Sequence, residues 1–148
     1  METVIFCGIQ ATGKTTFFKN NFFTTHIRIS MDLLKSRFRE DLFMEACIKS
    51  QQPFVIDNTN PGKADRQKYI ALAKRHKFKV IGYYFQSKLA EALARNNQRT
   101  GKDLIPEVGI RSTFNKLELP DFREGFDELY YVMLENNKFI IKDWDNEI

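Results

Sequence analysis

A three-layer α/β sandwich, in which helices cover both faces of a mostly parallel five-stranded central sheet and a helical lid spans about residues 87–104, is the architecture that three observations predict. A glycine-rich stretch, Gly8-Ile9-Gln10-Ala11-Thr12-Gly13-Lys14-Thr15, lies between the apolar run Val4-Ile5-Phe6-Cys7 and the helix-like Thr16-Phe17-Phe18-Lys19-Asn20. Short apolar runs then alternate with longer helical stretches, the arrangement that gives parallel strands joined by right-handed crossovers. The apolar runs are continuous rather than alternating, as in strands buried on both faces. With 148 residues and 43% hydrophobic content, the chain suits one domain over residues 1–148 and leaves no room for a second catalytic one.

Strand one is expected at about residues 2–7. The stretch after it reads G-x-x-x-x-G-K-[ST] in the strand, loop and helix context that a P-loop requires. Glycines let such a loop wind closely around phosphate oxygens, and N–H groups at the helix start face the anion. The expected nucleotide cradle is therefore Gly8, Gln10, Ala11, Thr12 and Gly13, with Lys14, Thr15 and Thr16 opening the helix. Lys14 supplies a mobile charge for the β- and γ-phosphates, and the Thr15 hydroxyl suits Mg²⁺. ATP and Mg²⁺ are the implied cofactors.

Phe17, Phe18 and Phe22 on the first helix read as core. Thr25–Ile29 forms a short second strand, where His26 has no catalytic partner signature and takes a solvated or hydrogen-bonded role. Ser30 caps a helix expected to run to about Ser50, with Leu34, Phe38, Leu42 and Ala46 on one face. Asp32 falls in its first turn, beyond a strand's carboxyl end, where ligands bind in open α/β sheets. An acid there also complements the helix dipole, so position alone leaves the two roles even. Lys35, one turn on, faces the same side and meets an acceptor's phosphate or an ion-pair partner.

Pro53–Asp57 is the third strand, and its terminal carboxylate suits a Walker-B-like place near Mg²⁺ or the attacking group. Asn58 and Thr59 follow it into the same cleft. Asn60 is expected to cap the next helix, with Pro61 at its first position. That helix runs to about His76 with a solvated basic face of Lys63, Arg66, Lys68, Lys74 and Arg75. Residues 78–85 give the fourth strand. Helical sequence resumes at Ser87 and ends at Gly101, with Arg95 and Arg99 spaced i,i+4 on a lid that brings planar cations to the phosphates. A helix from Ile105 to about Leu117 buries Phe114 and Leu117, and residues 128–134 make a fifth strand after a turn at Gly125-Phe126-Asp127. The acidic stretch Asp143-Trp144-Asp145-Asn146-Glu147 carries no motif. The Asp57 strand belongs beside the P-loop strand, because that adjacency brings Lys14, Asp32 and Asp57 to one cleft.

The formal charge of +4 permits an anionic partner such as nucleic acid without requiring one, since phosphate binding itself needs cations. Cys7 and Cys47 lack a C-x-x-C or histidine pairing and read as buried free thiols. No signal-like opening and no run of 18 apolar residues occurs, which predicts a soluble cytoplasmic protein with no membrane partner.

Taken together, Val55-Ile56-Asp57-Asn58-Thr59-Asn60-Pro61, Ala94-Arg95-Asn96-Asn97 with Arg99, Ile105-Pro106 and Glu124-Gly125-Phe126 give the chain a family likeness. It resembles the 5′-hydroxyl polynucleotide kinases, both the phage enzyme's kinase domain and that of the eukaryotic polynucleotide kinase-phosphatases, over about residues 1–134. The resemblance implies a P-loop kinase in which Asp32 is the general base for a 5′-hydroxyl. Lys14 and Thr15 then serve ATP and Mg²⁺, Arg99 stabilises the transferring phosphate with Arg95 nearby, and Asp57 lies close to acceptor and metal. The acceptor side would be Asp32, Lys35, Asp57, Asn58 and Thr59. Two departures stand out: Ser30-Met31 replaces the family's common Asn-Arg before the acid, and Lys35 stands where the phage enzyme has an arginine on the acceptor's phosphate. Ala11 also replaces a frequent glycine.

Three functions follow. A kinase acting on 5′-hydroxyl ends of DNA or RNA uses every residue named. A P-loop kinase for a small metabolite or nucleoside is kept open by Met31. A nucleotide-dependent regulatory ATPase leaves Asp32 and the lid arginines without a purpose.

Overall fold

The structure is a computed structural model and describes residues 1–145; the last two residues of the acidic stretch, Asn146 and Glu147, lie outside it. Its sheet has the order β2-β3-β1-β4-β5-β6, with β1 Glu2–Cys7, β2 Ile27–Ile29, β3 Phe54–Ile56, β4 Lys79–Phe85, β5 Glu128–Glu135 and β6 Lys138–Asp143. The first five strands are parallel, and β1 lies between β3 and β4 with Val4 opposite both Val55 and Ile81. The strand that ends at Asp57 is therefore the neighbour of the strand that feeds the P-loop.

Alternation along β1 divides the core. Val4 and Phe6 pack against Phe17 and Phe18 of α1 (Lys14–Asn21) and Phe22 just after it, whereas Ile5 faces α3 (Arg37–Ser50) and α4 (Lys63–Arg75) through Met44, Cys47, Tyr69 and Ile70. Both faces are covered, which explains the unbroken apolar runs. A third, smaller cluster joins Ile9 and Ala11 of the loop to Ala92 on α5 (Leu89–Asn96) and Ile110 on α6 (Glu107–Lys116). The lid is thus packed directly onto the P-loop. No helix among the described residues is long and apolar enough to cross a membrane.

Five expectations are corrected. The sheet has six strands, because β6 pairs antiparallel with β5 through a two-residue turn in which Asn136 and Asn137 take φ of 50° and 61°. Asparagine tolerates that left-handed backbone, as hairpin turns of this kind require. The single helix from Ser30 is broken: α2 (Met31–Leu34) stops at Lys35, whose φ is 69°, and Ser36 caps α3 by accepting from the Arg39 N–H at 3.2 Å. The break rotates the expected face outward, leaving Phe38 at 72% exposure while Glu40, Met44, Cys47 and Ile48 turn inward. Asn60 is not a helix cap; it is buried with φ 43° and its Nδ2 donates to the Phe6 carbonyl at 2.8 Å, while α4 starts after Gly62. Phe114 is partly exposed, and Ile110 fills the core in its place.

Arg66 departs furthest from its expected solvated face. It is fully buried and makes a bidentate pair with Glu124 at 2.8 and 3.1 Å, while Nη1 donates to the Asn60 and Pro61 carbonyls. A planar guanidinium can satisfy a carboxylate and two carbonyls at once. The pair ties the turn before β5 to the loop that leaves Asp57.

Candidate active site

The P-loop leaves the carboxyl end of β1 and is held by its surroundings. The Ile9 N–H donates to Ser87 Oγ at 3.0 Å and the Gly8 N–H to the Thr59 carbonyl at 2.9 Å. Thr12 is buried and its Oγ1 donates to the Ile9 carbonyl. Gly13 has φ 93°, and a Cβ placed there would lie 2.9 Å from the Phe139 ring. Only glycine fits both constraints. Ala11 takes φ 61°, so the residue that stands where a glycine is frequent keeps the left-handed backbone at a strain of about 1–2 kcal/mol.

Lys14 Nζ folds back on the loop, donating to the Gly8 and Ile9 carbonyls at 3.0 and 2.7 Å. Burial pushes its ammonium down to about 8, against the opposing pull of Asp57 and, more weakly, Asp32. Thr15 Oγ1 donates to Asp57 Oδ2 at 3.1 Å. The same oxygen accepts from Arg28 Nε at 2.8 Å, and Arg28 Nη2 reaches Thr15 Oγ1 at 3.3 Å. Arg28, on β2, was absent from the residues picked out by sequence; an arginine between Ile27 and Ile29 carries no motif, and only strand order brings it to Asp57.

Oxygen donors at Thr15 and Asp57 fit a hard divalent cation. Among the described residues no three histidine, cysteine or acidic side chains cluster as a metal cage, so nucleotide phosphates and water must complete any Mg²⁺ shell.

Two adjoining pockets open beside this corner. The first, of about 130 Å³, runs along the P-loop and is lined by Gln10, Ala11, Gly13, Lys14, Thr15 and Thr16, with Asp57 and Arg99 opposite. The second, of about 630 Å³, is lined among others by Met31, Arg37, Lys68, Tyr69 and Lys116. Gln10, Asp32, Asn58, Thr59 and Ile105 line both. Asp32 thus stands at the join. Its N–H donates to the buried Ser30 Oγ at 3.3 Å, which fixes the first turn, but its exposed carboxylate makes no hydrogen bond or salt bridge among the described residues.

Asn58 locks this arrangement. Its Oδ1 accepts from the Met31 N–H at 2.9 Å, fastening α2 to the end of β3. Its Nδ2 donates to Glu40 Oε2 at 3.3 Å and approaches the Tyr69 hydroxyl at 3.4 Å.

On the lid, α5 ends at Asn96, so Arg95 and Arg99 do not share a helix face. Arg95 donates to the Ala11 carbonyl at 3.2 Å and pairs with Glu91 at 3.5 Å, whereas Arg99 in the following turn lines the P-loop pocket. Asn96 closes the lid loop with two bonds to the Ile105 backbone at 2.7 and 3.0 Å. Lys35 lines neither pocket, because its left-handed backbone takes it off the helix that carries Asp32.

The model of the AAA domain family matches residues 34–129, well over half of the chain and entirely beyond the P-loop. The chain is 26% identical, over 98% of its length, to the bifunctional polynucleotide phosphatase/kinase of Schizosaccharomyces pombe, of which the match covers 36%. It spans about a third of the length of the curated relatives it matches. Among solved structures it is similar to Kti12 of Chaetomium thermophilum in complex with ADP-AlF3, with TM-score 0.64, 14% identity and 90% coverage of each chain. It is also similar to a chain of the AvrRxo1-ORF1:-ORF2 complex with ATP, with TM-score 0.69, 16% identity, and coverage of 95% of this chain and 57% of the other. These likenesses agree with the P-loop kinase fold described above.

Proposed function

The chain belongs to the AAA domain family, and on that premise we propose that it is an ATP-dependent kinase transferring the γ-phosphate to a 5′-hydroxyl end of DNA or RNA. The observation that carries the reading is the place of Asp32: a carboxylate with no hydrogen bond or salt bridge among the described residues, at the join of a P-loop pocket and a roomier second pocket. A volume of about 630 Å³ lies in the range of small-molecule sites.

In this reading ATP lies along the P-loop pocket, with its phosphates on the loop N–H groups and Lys14, and the acceptor enters the second pocket. Asp32 accepts the proton of the acceptor hydroxyl as its oxygen bonds to the γ-phosphorus; the bond from that phosphorus to the β–γ bridging oxygen breaks, and ADP leaves. Lys14 and Arg99 balance charge on the transferring group. Thr15 and Asp57 would hold Mg²⁺, which when bound neutralises the β- and γ-phosphates. Asp57 is assigned the metal side rather than the base's role, since its Oδ2 accepts from Arg28 and Thr15. A role in nucleic acid repair is part of the same proposal, as is a cytoplasmic setting, which two buried free thiols support.

A small-molecule alcohol is the second reading, favoured by Met31, an apolar side chain lining the second pocket where the resemblance expects an arginine. A regulatory ATPase would leave that pocket without an occupant. Incubation with γ-labelled ATP, Mg²⁺, 5′-hydroxyl oligonucleotides and a panel of small alcohols decides between them. Label on oligonucleotide ends is the expected result; label on a small alcohol alone transfers the case to the second reading, and ATP hydrolysis without any labelled acceptor to the third.

A further inference from the structure

We propose that Arg28 is the resident counter-cation of the corner formed by Thr15 and Asp57: by matching the Asp57 charge it keeps a divalent metal from binding there alone, so that metal enters with the nucleotide. The proposal rests on the phosphate-binding half of the kinase reading and not on its acceptor.

The fold brings Arg28 to this corner from the edge of the sheet. It is the middle residue of β2, the edge strand, and stands opposite Val55 of β3. Side chains alternate along a strand. Ile29 is buried with Met44 and Ile70 on the face of α3 and α4, so Arg28 takes the other face, where Val55 packs with Phe17 of α1. Thr15 opens α1 and Asp57 directly follows β3. Both lie within reach of one long side chain. Arg28 Nε donates to Asp57 Oδ2 at 2.8 Å and Nη2 to Thr15 Oγ1 at 3.3 Å. One edge of the planar guanidinium therefore spans two oxygens that are themselves hydrogen-bonded.

Those oxygens are the ones a metal would use. Mg²⁺ holds oxygens at about 2.0–2.1 Å in near-octahedral geometry, which sets neighbouring ligands about 2.9 Å apart. Thr15 Oγ1 and Asp57 Oδ2 are 3.1 Å apart, so their spacing suits the ion. Their electron pairs and charge are already drawn upon. Arg28 takes one of the two lone pairs of the Thr15 hydroxyl and the only two donors on Asp57 Oδ2 include its Nε.

The charge balance points the same way. The P-loop pocket is lined by the cations Lys14 and Arg99 and the acids Asp32 and Asp57, which cancel; Arg28 does not line it and adds one positive charge from the β2 side. The Asp57 side chain keeps 2% exposure and that of Arg28 24%, where salt screens weakly. The N–H groups of the loop add to the same sign. Such a corner repels a lone divalent cation and attracts a polyphosphate, whose negative charge then admits the metal. Nucleotide and metal thus assist each other's binding.

The test is a pair of equilibrium titrations on the full chain: Mn²⁺ alone, followed by the electron paramagnetic resonance of the free ion, and ATP in EDTA, followed by calorimetry. Arg28→Gln removes the charge, Arg28→Lys keeps it, and Lys49→Ala, whose cation pairs with Glu45 on α3, is the control. Arg28→Gln should bind Mn²⁺ about tenfold more tightly and metal-free ATP about tenfold more weakly, each on the scale of one charged hydrogen-bond partner. Arg28→Lys, a point charge without the fork, should lie closer to wild type in both. Adding Asp57→Asn to Arg28→Gln should abolish the Mn²⁺ gain, which assigns it to this corner. Shifts of opposite sign are the signature, because an arginine that only braced Asp57 would weaken both ligands when lost. Weakening of both, or unchanged Mn²⁺ binding, overturns the proposal. If Arg28→Gln fails to fold, wild type and Asp57→Asn carry the test: wild type should bind metal-free ATP and hold no Mn²⁺ at the same concentrations, and Mn²⁺ held without nucleotide but lost in Asp57→Asn overturns the proposal. Transfer by wild type to no acceptor sinks the kinase reading while the two titrations still decide the role of Arg28; absence of ATP binding sinks both.

Discussion

Asp57 and Asp32 both face the cleft, and their surroundings are opposite. Asp57 follows the buried strand β3, keeps 5% exposure, and accepts from Arg28 and Thr15 on one oxygen. Asp32 sits exposed in a four-residue helix, with its turn fixed by Ser30 and Asn58 through two N–H bonds and its carboxylate without a hydrogen bond or salt bridge among the described residues. A carboxylate with one oxygen tied to two donors serves as a strut; one whose backbone is fixed and whose oxygens face the cleft is available to take a proton. The lesson is that rigidity and reactivity are supplied by different bonds of the same residue. Lys14 feels the charge of both acids, that of Asp57 more strongly.

The comparison breaks first at that shared cation. Lys14→Ala should lower phosphate transfer by about three orders of magnitude or more, the scale of removing a group that stabilises transition-state charge, while circular dichroism remains that of the wild type. Rates near wild type in a folded variant would show that the P-loop is not a phosphate site.

The acids themselves come next. Asp32→Asn should cut kcat by about 10²- to 10⁴-fold with ATP affinity unchanged within about threefold, read by single-turnover transfer and by nucleotide titration. Asp57→Asn should weaken Mg²⁺-dependent nucleotide binding by about tenfold or more, the loss of one charged hydrogen-bond partner, and its transfer should recover in part as Mg²⁺ is raised. Reversed phenotypes would exchange strut and reagent.

A smaller effect follows from Lys14's titration. Its charged form, which attracts phosphate, predominates in the free protein below about 8. Hence kcat/KM for ATP should fall as pH rises through that value, by at most about tenfold per unit. A profile flat to pH 10 would mean that the ammonium keeps its usual affinity for the proton. The smallest effect is expected at Lys35, which lines neither pocket: Lys35→Ala should change KM for an oligonucleotide less than about twofold, within the range of surface substitutions. A larger rise would return it to the acceptor site.

The legible parts of the fold were those in which local sequence and tertiary role agree. β1, the P-loop and the strand before Asp57 read correctly because a doubly covered strand needs a continuous apolar run and a phosphate loop needs glycine at Gly13. Lys35 defeated the helix reading because nothing in a lysine announces a left-handed backbone; Ser36, a good cap four residues before the buried Glu40, was the available signal. β6 was hidden behind two asparagines, a hairpin cue that is weaker without glycine. Arg66 and Arg28 were not legible at all. A basic residue on a charged helix or an edge strand looks solvated until the fold places Glu124 or Asp57 beside it.

The contact between Gly13 and Phe139 also sets a timetable for synthesis. The P-loop leaves the ribosome before both strands that flank β1 and before the ring that closes over Gly13. A nascent chain therefore carries its phosphate-binding motif long before it can shape it, and competence should arrive in one late step rather than by degrees. Stalled chains of increasing length, probed with a fluorescent ATP analogue, should remain silent until Phe139 has cleared the exit tunnel; capture by chains that end before β4 would show that the loop shapes itself.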